Sequence, residues 1–294
     1  MLFDSHAHLN NAGMTDEERE ETVRTIENSQ LDYVMDIGFD LPSSKLAVDH
    51  AAEYSWCYAA VGVHPHDTEG MDDMQLAMIK GLAKKDKVMA IGEIGLDFHY
   101  DYSPRDEQRE WFRKQIRLAN ELRMPIVIHS READQEVMDI LKEEGAFSDE
   151  RKSWFPERPD TTGYVKGTAA TASASSAGSA AAAVPDARVL LHCFSGSAEL
   201  AKQYVKLGAT LSIAGPVTYK NNRNTVGVVE AIPLDFLLVE TDSPYLTPEP
   251  YRGRKNMSPY VEYTARKVAD IKGLSFEDVA AATKTNAMRF FGIK

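Results

Sequence analysis

Several things are scarce in this sequence, and each shortage excludes a class of protein. Cysteine occurs twice in 294 residues, as Cys57 and Cys193, which is no basis for a disulfide framework. Both fall in apolar stretches that read as strands, so both are expected as reduced core thiols. No apolar run approaches the length that crosses a bilayer. The opening MLFDSHAHLN lacks the basic and apolar regions of a secretory signal. The expected location is cytoplasmic, without membrane contact, and nothing calls for an obligate protein partner. Basic residues are also short: 33 Lys and Arg face 45 Asp and Glu, a formal net charge of -12. A surface this acidic repels a polyanion at long range, which counts against a tight non-specific DNA binder. It leaves room for an enzyme that takes a strand end into a metal-lined pocket. No Gly-rich fingerprint follows the first apolar run, which weighs against an open doubly wound fold.

What is present is a rhythm. Short aliphatic or β-branched runs at 2–5, 33–37, 57–63, 88–93, 126–129, 189–192, 210–213 and 236–240 read as strands. Between them lie amphipathic stretches near 15–28, 43–54, 71–84, 105–122, 132–144, 197–207, 222–230 and 259–271, with a last helix near 276–290. Near-continuous apolar strands alternating with helices predict a parallel sheet covered on both faces. Eight such units in a chain of this length predict an α/β fold, a (β/α)8 TIM barrel, as one domain over residues 1–294. Residues 160–186, DTTGYVKGTAATASASSAGSAAAAVPD, break the rhythm. They are low-complexity Ala, Ser, Thr and Gly, expected as a flexible insertion between the fifth helix and the sixth strand.

The polar residues of interest fall at strand ends. His6 and His8 are separated by one residue at the end of the first strand, where alternate side chains share a face. Alone, such a pair could as well be two hydrogen-bonded core histidines. Glu93 ends the fourth strand, His129 the fifth, His192 the sixth and Asp242 the eighth. Barrel active sites gather at the C-terminal ends of the strands. Six potential ligands from five strands would thus converge on one mouth, where so many acids and imidazoles call for a cation. Four imidazoles and two carboxylates exceed what one open catalytic ion requires. Two divalent ions follow, with His6, His8 and Asp242 on one, His129 and His192 on the other, and Glu93 bridging. Imidazole-rich ligation suits zinc or manganese, whereas magnesium prefers oxygen. Asp242 and Glu93 are the expected catalytic carboxylates, Asp242 orienting the attacking water or taking its proton. His64 and Arg131 lie at the same rim and are expected to touch substrate, Arg131 as a fork for a phosphate oxygen. His66 could do the same or merely hold backbone. Asp97 and His99 are expected behind the ligands, and Asp4 reads as structural.

The segments DSHAHL, GVHPHD, GEIGLDFHYDYSPRDEQ, HSREA, HCFSG and TDSPYLTPEPYRGRKN, with the late TNAMRFFGI, resemble the TatD-like metal-dependent deoxyribonucleases of the amidohydrolase superfamily. The match runs along nearly the whole chain in order. The resemblance implies a TIM barrel, two divalent metals and phosphodiester hydrolysis, typically 3′–5′ exonuclease action on DNA. It implies the same six metal ligands and a substrate role near His64. Many amidohydrolases bridge their metals with a modified lysine on the fourth strand; Glu93 there looks like the TatD arrangement. The 160–186 stretch departs from the family pattern. Two other functions compete: a hydrolase of a small ester, amide or aminoacyl-tRNA on the same metals, and a non-catalytic scaffold, which the complete ligand set argues against.

Overall fold

The eight barrel strands pair in parallel around a ring. In this computed structural model, residues 1–160, 164 and 182–294 are described. The strands are β1 (Leu2–Ala7), β2 (Leu31–Ile37), β3 (Cys57–Val61), β4 (Val88–Asp97), β5 (Ile126–Arg131), β6 (Arg158–Asp160), β7 (Ala182–Val184), β8 (Val189–Leu191), β9 (Thr210–Ile213) and β10 (Leu237–Val239). The main sheet runs β1-β2-β3-β4-β5-β8-β9-β10. A parallel bridge between Ala7 and Ser243 brings its last edge back to its first. Asp242 donates its backbone N–H to His6 (2.9 Å), and His8 donates to Ser243 (2.8 Å), at the same seam. The (β/α)8 barrel expected from the rhythm is therefore the fold.

The helices α1 (Asp16–Glu27), α2 (Leu41–Glu53), α3 (Asp73–Leu82), α4 (Arg105–Leu122), α5 (Asp134–Glu143), α6 (Asp149–Ser153), α7 (Ala198–Leu207), α8 (Arg223–Ala231), α9 (Val261–Lys272) and α10 (Phe276–Phe291) complete the chain. Their starts carry a chemical reason. Thr15, Ser197 and Ser275 each accept a backbone N–H of the first turn of α1, α7 and α10. Gly208, Gly273 and Gly292 end α7, α9 and α10 in the left-handed conformation that glycine adopts without strain.

Two apolar layers result. One lies between the helices and the outer face of the sheet. The other gathers Phe3, Ile37, Ala60, Ala90, Val127, Leu190 and Leu238, from seven barrel strands, around Phe290 and Phe291 of α10. Phe3 is near the start of β1 and lies 6.0 Å from Phe291, ring centre to ring centre. The TNAMRFFGI segment thus closes the N-terminal end of the barrel with apolar side chains. Polar chemistry is left to the opposite end.

Residues 161–163 and 165–181, most of the expected 160–186 insertion, lie outside the described residues. Its last residues differ from the expectation of a flexible insertion. β6 and β7 pair antiparallel, Arg158 opposite Val184. Val184 and Asp186 are buried, and Asp186 accepts from Arg158 Nη2 at 2.7 Å with both side chains fully enclosed. The two cysteines are both free, as expected. Cys57 opens β3 and is buried, but Cys193 sits beyond β8 and is partly exposed.

Candidate metal centre

Local irregularities aim the ligands. On β5, Val127 faces the barrel interior, so His129 two residues later does too; Leu190 and His192 repeat this at β8. Glu93 does not follow from alternation. The β4–β5 register shifts between Ile91 and Ile94, and the β1–β2 register shifts between Asp4 and Ala7. Such bulges re-aim side chains, and here they bring Glu93, His6 and His8 into one space. The extension of β4 through Gly95 depends on glycine, because a Cβ there would collide with the His129 carbonyl.

The six expected ligands come together around Glu93, whose two oxygens face different partners. Oε2 lies 3.3 Å from His6 Nε2 and 3.7 Å from His8 Nε2. Those two nitrogens are 3.2 Å apart, and Asp242 Oδ1 is 3.7 and 3.4 Å from them. Oε1 lies 2.8 Å from His192 Nε2 and 2.9 Å from His129 Nδ1, which are 3.4 Å from each other. Ligand atoms about 2.1 Å from a tetrahedral ion sit about 3.4 Å apart. Both sets have the spacing of a coordination shell, with Glu93 common to them.

The outward ring nitrogens decide which imidazoles can offer a lone pair. His8 donates from Nδ1 to the Ile37 carbonyl (2.8 Å), leaving Nε2 free to ligate. His129 turns Nε2 to Asp97 Oδ2 (3.1 Å), leaving Nδ1. His192 Nδ1 faces Glu240 Oε1 at 3.4 Å, leaving Nε2. A second nitrogen fixed by a carboxylate or carbonyl is the pattern of metal-binding histidine. His64 is the reverse. Its Nδ1 accepts the His66 backbone N–H (3.1 Å), so its proton is on Nε2, 3.4 Å from Glu93 Oε1. A protonated nitrogen can donate to a substrate but cannot ligate.

Electrostatics say what the cage lacks. Burial alone would raise the Glu93 carboxyl, but His192, His64 and His129 hold it well below the usual range. Burial disfavours a charged His8, yet Asp242 and Glu93 push it up to about 9. His192 is likewise raised, against its burial, by Glu93 and Glu240. Burial lowers His6, and lowers His64 to about 3. At His8 and His192 the enclosed carboxylates outweigh the cost of burying positive charge, while at His6 and His64 burial prevails and the rings stay neutral, so the set offers both anionic and neutral donors to a cation.

Two residues behind the ligands stand out. Asp97 accepts from His66 Nε2 (2.9 Å) as well as His129, and its other oxygen takes the backbone N–H groups of His99 and Tyr100. Glu240, absent from the sequence expectations, is fully buried beside His6 and His192. The signal was available: Glu240 lies two residues after the inward Leu238 and two before Asp242. His99 does not join the site, since its ring turns to Glu132 at the surface (2.7 Å). Arg131 is exposed at the rim, its guanidinium 4.6 Å from the centre of the Tyr100 ring. Asp4 accepts from the backbone N–H and hydroxyl of Thr241 (2.8 and 2.6 Å), a structural tie across the seam.

Comparison with known proteins agrees with this architecture. A metal-dependent hydrolase of Bacillus subtilis, YabD, itself uncharacterized, is 41% identical over 293 residues, covering 100% of both chains. A 3′–5′ ssDNA/RNA exonuclease TatD of Cronobacter turicensis is 29% identical, covering 94% of this chain and 92% of its own. The crystal structure of the TatD homologue YJJV from Escherichia coli superimposes with a TM-score of 0.81 at 22% identity, covering 100% of this chain and 98% of that one, a likeness of fold. The model of the family described as TatD related DNase matches residues 3–292, and the chain belongs to that family.

Proposed function

We propose that the chain is a metal-dependent hydrolase that uses two divalent ions to cleave phosphodiester bonds, removing nucleotides from the 3′ end of DNA. The observation that carries this reading is the division of Glu93, one oxygen toward His6 and His8 and the other toward His129 and His192. When bound, paired ions lower the pKa of a water and neutralise charge on the phosphoryl oxygens. His6, His8 and Asp242 would hold one ion, His129 and His192 the other, with Glu93 between them; zinc or manganese suits these donors better than magnesium. Of the two carboxylates in the cage, the Asp242 side chain is the more open, 14% exposed against 4% for Glu93. It is placed to take the proton of the attacking water. His64 donates from Nε2 to a substrate oxygen, and Arg131 meets a phosphate at the rim. The exonuclease name carried by the Cronobacter relative supports the substrate class.

The test is a substrate panel with metal-loaded protein: 5′-labelled single-stranded DNA, a bis-aryl phosphodiester and a neutral aryl ester. Stepwise shortening from the 3′ end is expected, together with turnover of the diester. Turnover of the neutral ester alone would move the function to small esters or amides, and metal-independent cleavage would overturn the metal reading altogether.

A further inference from the structure

The rim of the mouth carries aromatic surface that the hydrolytic machinery does not use. Seven large apolar or aromatic side chains are prominently exposed among the described residues, and three are tyrosines on loops leaving the C-terminal ends of barrel strands. Tyr100 and Tyr102 follow β4, and Tyr245 follows β10. The first two form an organised unit. Their rings stack with centres 5.3 Å apart and planes within 15°. Arg131 lies over Tyr100 at 4.6 Å, and the His66 ring meets Tyr102 at 4.8 Å, edge to face.

This unit is tied to the cage. The Tyr100 backbone N–H is held by Asp97 Oδ1 at 2.9 Å. The other oxygen of Asp97 binds both His66 and His129. One carboxylate therefore fixes the ring stack and one of the candidate ligands together. The loop between the tyrosines is braced by Asp101, which pairs with Arg105 at 2.6 Å, and Arg105 in turn covers Phe98. Tyr102 remains 63% exposed. Two flat rings, stacked and braced beside the cage and open to water, present a face that a flat ligand can cover.

We propose that Tyr102, backed by Tyr100 and Arg131, is a stacking platform for a nucleobase at the end of a single strand, placing the adjoining phosphate at Glu93. Every base has a π-face, so stacking holds a strand end without reading its sequence, and each stacked base contributes roughly a 5- to 150-fold gain in binding. A duplex keeps its bases covered, so the platform selects single-stranded ends. The inference rests on the phosphodiester reading of the cage and adds what positions the strand.

The test uses metal-loaded protein with two readouts. The first is fluorescence of 2-aminopurine at the 3′ end of a short oligonucleotide with phosphorothioate linkages, which reports stacking without cleavage. The parent is expected to quench it; Tyr102→Ala should lose most of the quench, and Tyr102→Phe, which keeps the ring, should retain it. The second compares kcat/KM on strands with an intact or an abasic 3′-terminal nucleotide. The parent should prefer the intact end by about tenfold or more, within the range for one stacked base. Tyr102→Ala should erase that preference through KM, leaving kcat within about twofold. Cleavage by the parent without quench or preference for the intact end would overturn the platform alone, as would equal losses by Tyr102→Ala on both ends. Quenching without cleavage would keep the platform and overturn the phosphodiester reading. Neither quench nor cleavage would overturn both.

Discussion

His8 and His129 each have one ring nitrogen hydrogen-bonded to an oxygen outside the cage, and His192 turns Nδ1 toward Glu240 at 3.4 Å, which leaves the other nitrogen of each as a lone-pair donor. The specificity of the site lies in that detail more than in the presence of histidines, since His64 has the opposite tautomer and a different task. Glu240 does this work at the boundary between the two halves. Its Oε1 faces His192 Nδ1 and accepts the Cys193 backbone N–H at 2.7 Å, while His6 lies within 4.8 Å of the same buried carboxylate. Removing a carboxylate behind a ligand typically weakens metal binding 10–100-fold. Glu240→Gln should therefore lower affinity for divalent metal by about that factor in calorimetric titration, with the circular dichroism spectrum unchanged. Unaltered affinity would reduce Glu240 to a strand cap. Glu93→Ala should act more severely, weakening both ions at once, whereas Asp242→Ala should weaken only the ion shared with His6 and His8 and lose turnover by about a hundredfold or more, the usual contribution of a general base. Equal metal loss in both variants would contradict the division of the cage.

At the level of elements, alternation and helix periodicity were enough to locate all eight barrel strands, because each is a buried aliphatic run between amphipathic helices. His129 and His192 were read from their positions at strand ends, and the inward faces of Val127 and Leu190 two residues earlier agree with that placement. Glu93 came from its position at a strand end, and the bulge that turns it inward could not be read, because a register shift depends on the neighbouring strand. The β6–β7 pair was hidden for another reason. Three-residue strands carry too little periodicity to register, and Asp186 looked like the polar end of a low-complexity tract. Its burial against Arg158 gives opposite expectations for two changes in this region. Asp186→Ala leaves a guanidinium enclosed without its partner, a loss of about 3–5 kcal/mol, which should lower the melting temperature by about 5–10 °C. Replacing residues 165–181, which are nearly all Ala, Ser, Thr and Gly, with a short Gly-Ser linker should change it by no more than about 2 °C, since loop shortening alters closure entropy only weakly. Scanning calorimetry on both proteins checks the contrast, and a large drop in the linker variant would show that the tract packs.

Over the whole molecule, a net charge of -12 surrounds a site that, on the phosphodiester proposal, must accept a polyanion. Long-range steering is unfavourable, so attraction has to be supplied locally, by ions in the cage, by Arg131 at the rim and by stacking, which carries no charge. Many of the other arginines and lysines are engaged by acids on their own surface, as Arg113 and Arg117 are by Glu143 and Glu144. A protein that neutralises phosphates releases counterions, and on single strands each contact adds about 0.7 to the slope of log affinity against log salt. Engagement of one terminal nucleotide and its neighbours therefore predicts a shallow slope, of magnitude about 1 to 2. A protein making 6–10 phosphate contacts instead loses about a thousandfold or more between 50 and 200 mM salt. Anisotropy titration of a fluorescein-labelled, phosphorothioate-protected single strand over that salt range measures the slope directly. Affinity should fall by about 4- to 16-fold, and strands longer than a few nucleotides should bind no more tightly than short ones. A steep slope, or affinity that keeps rising with length, would mean that the strand follows an extended basic path along the barrel and that the end-on geometry is wrong.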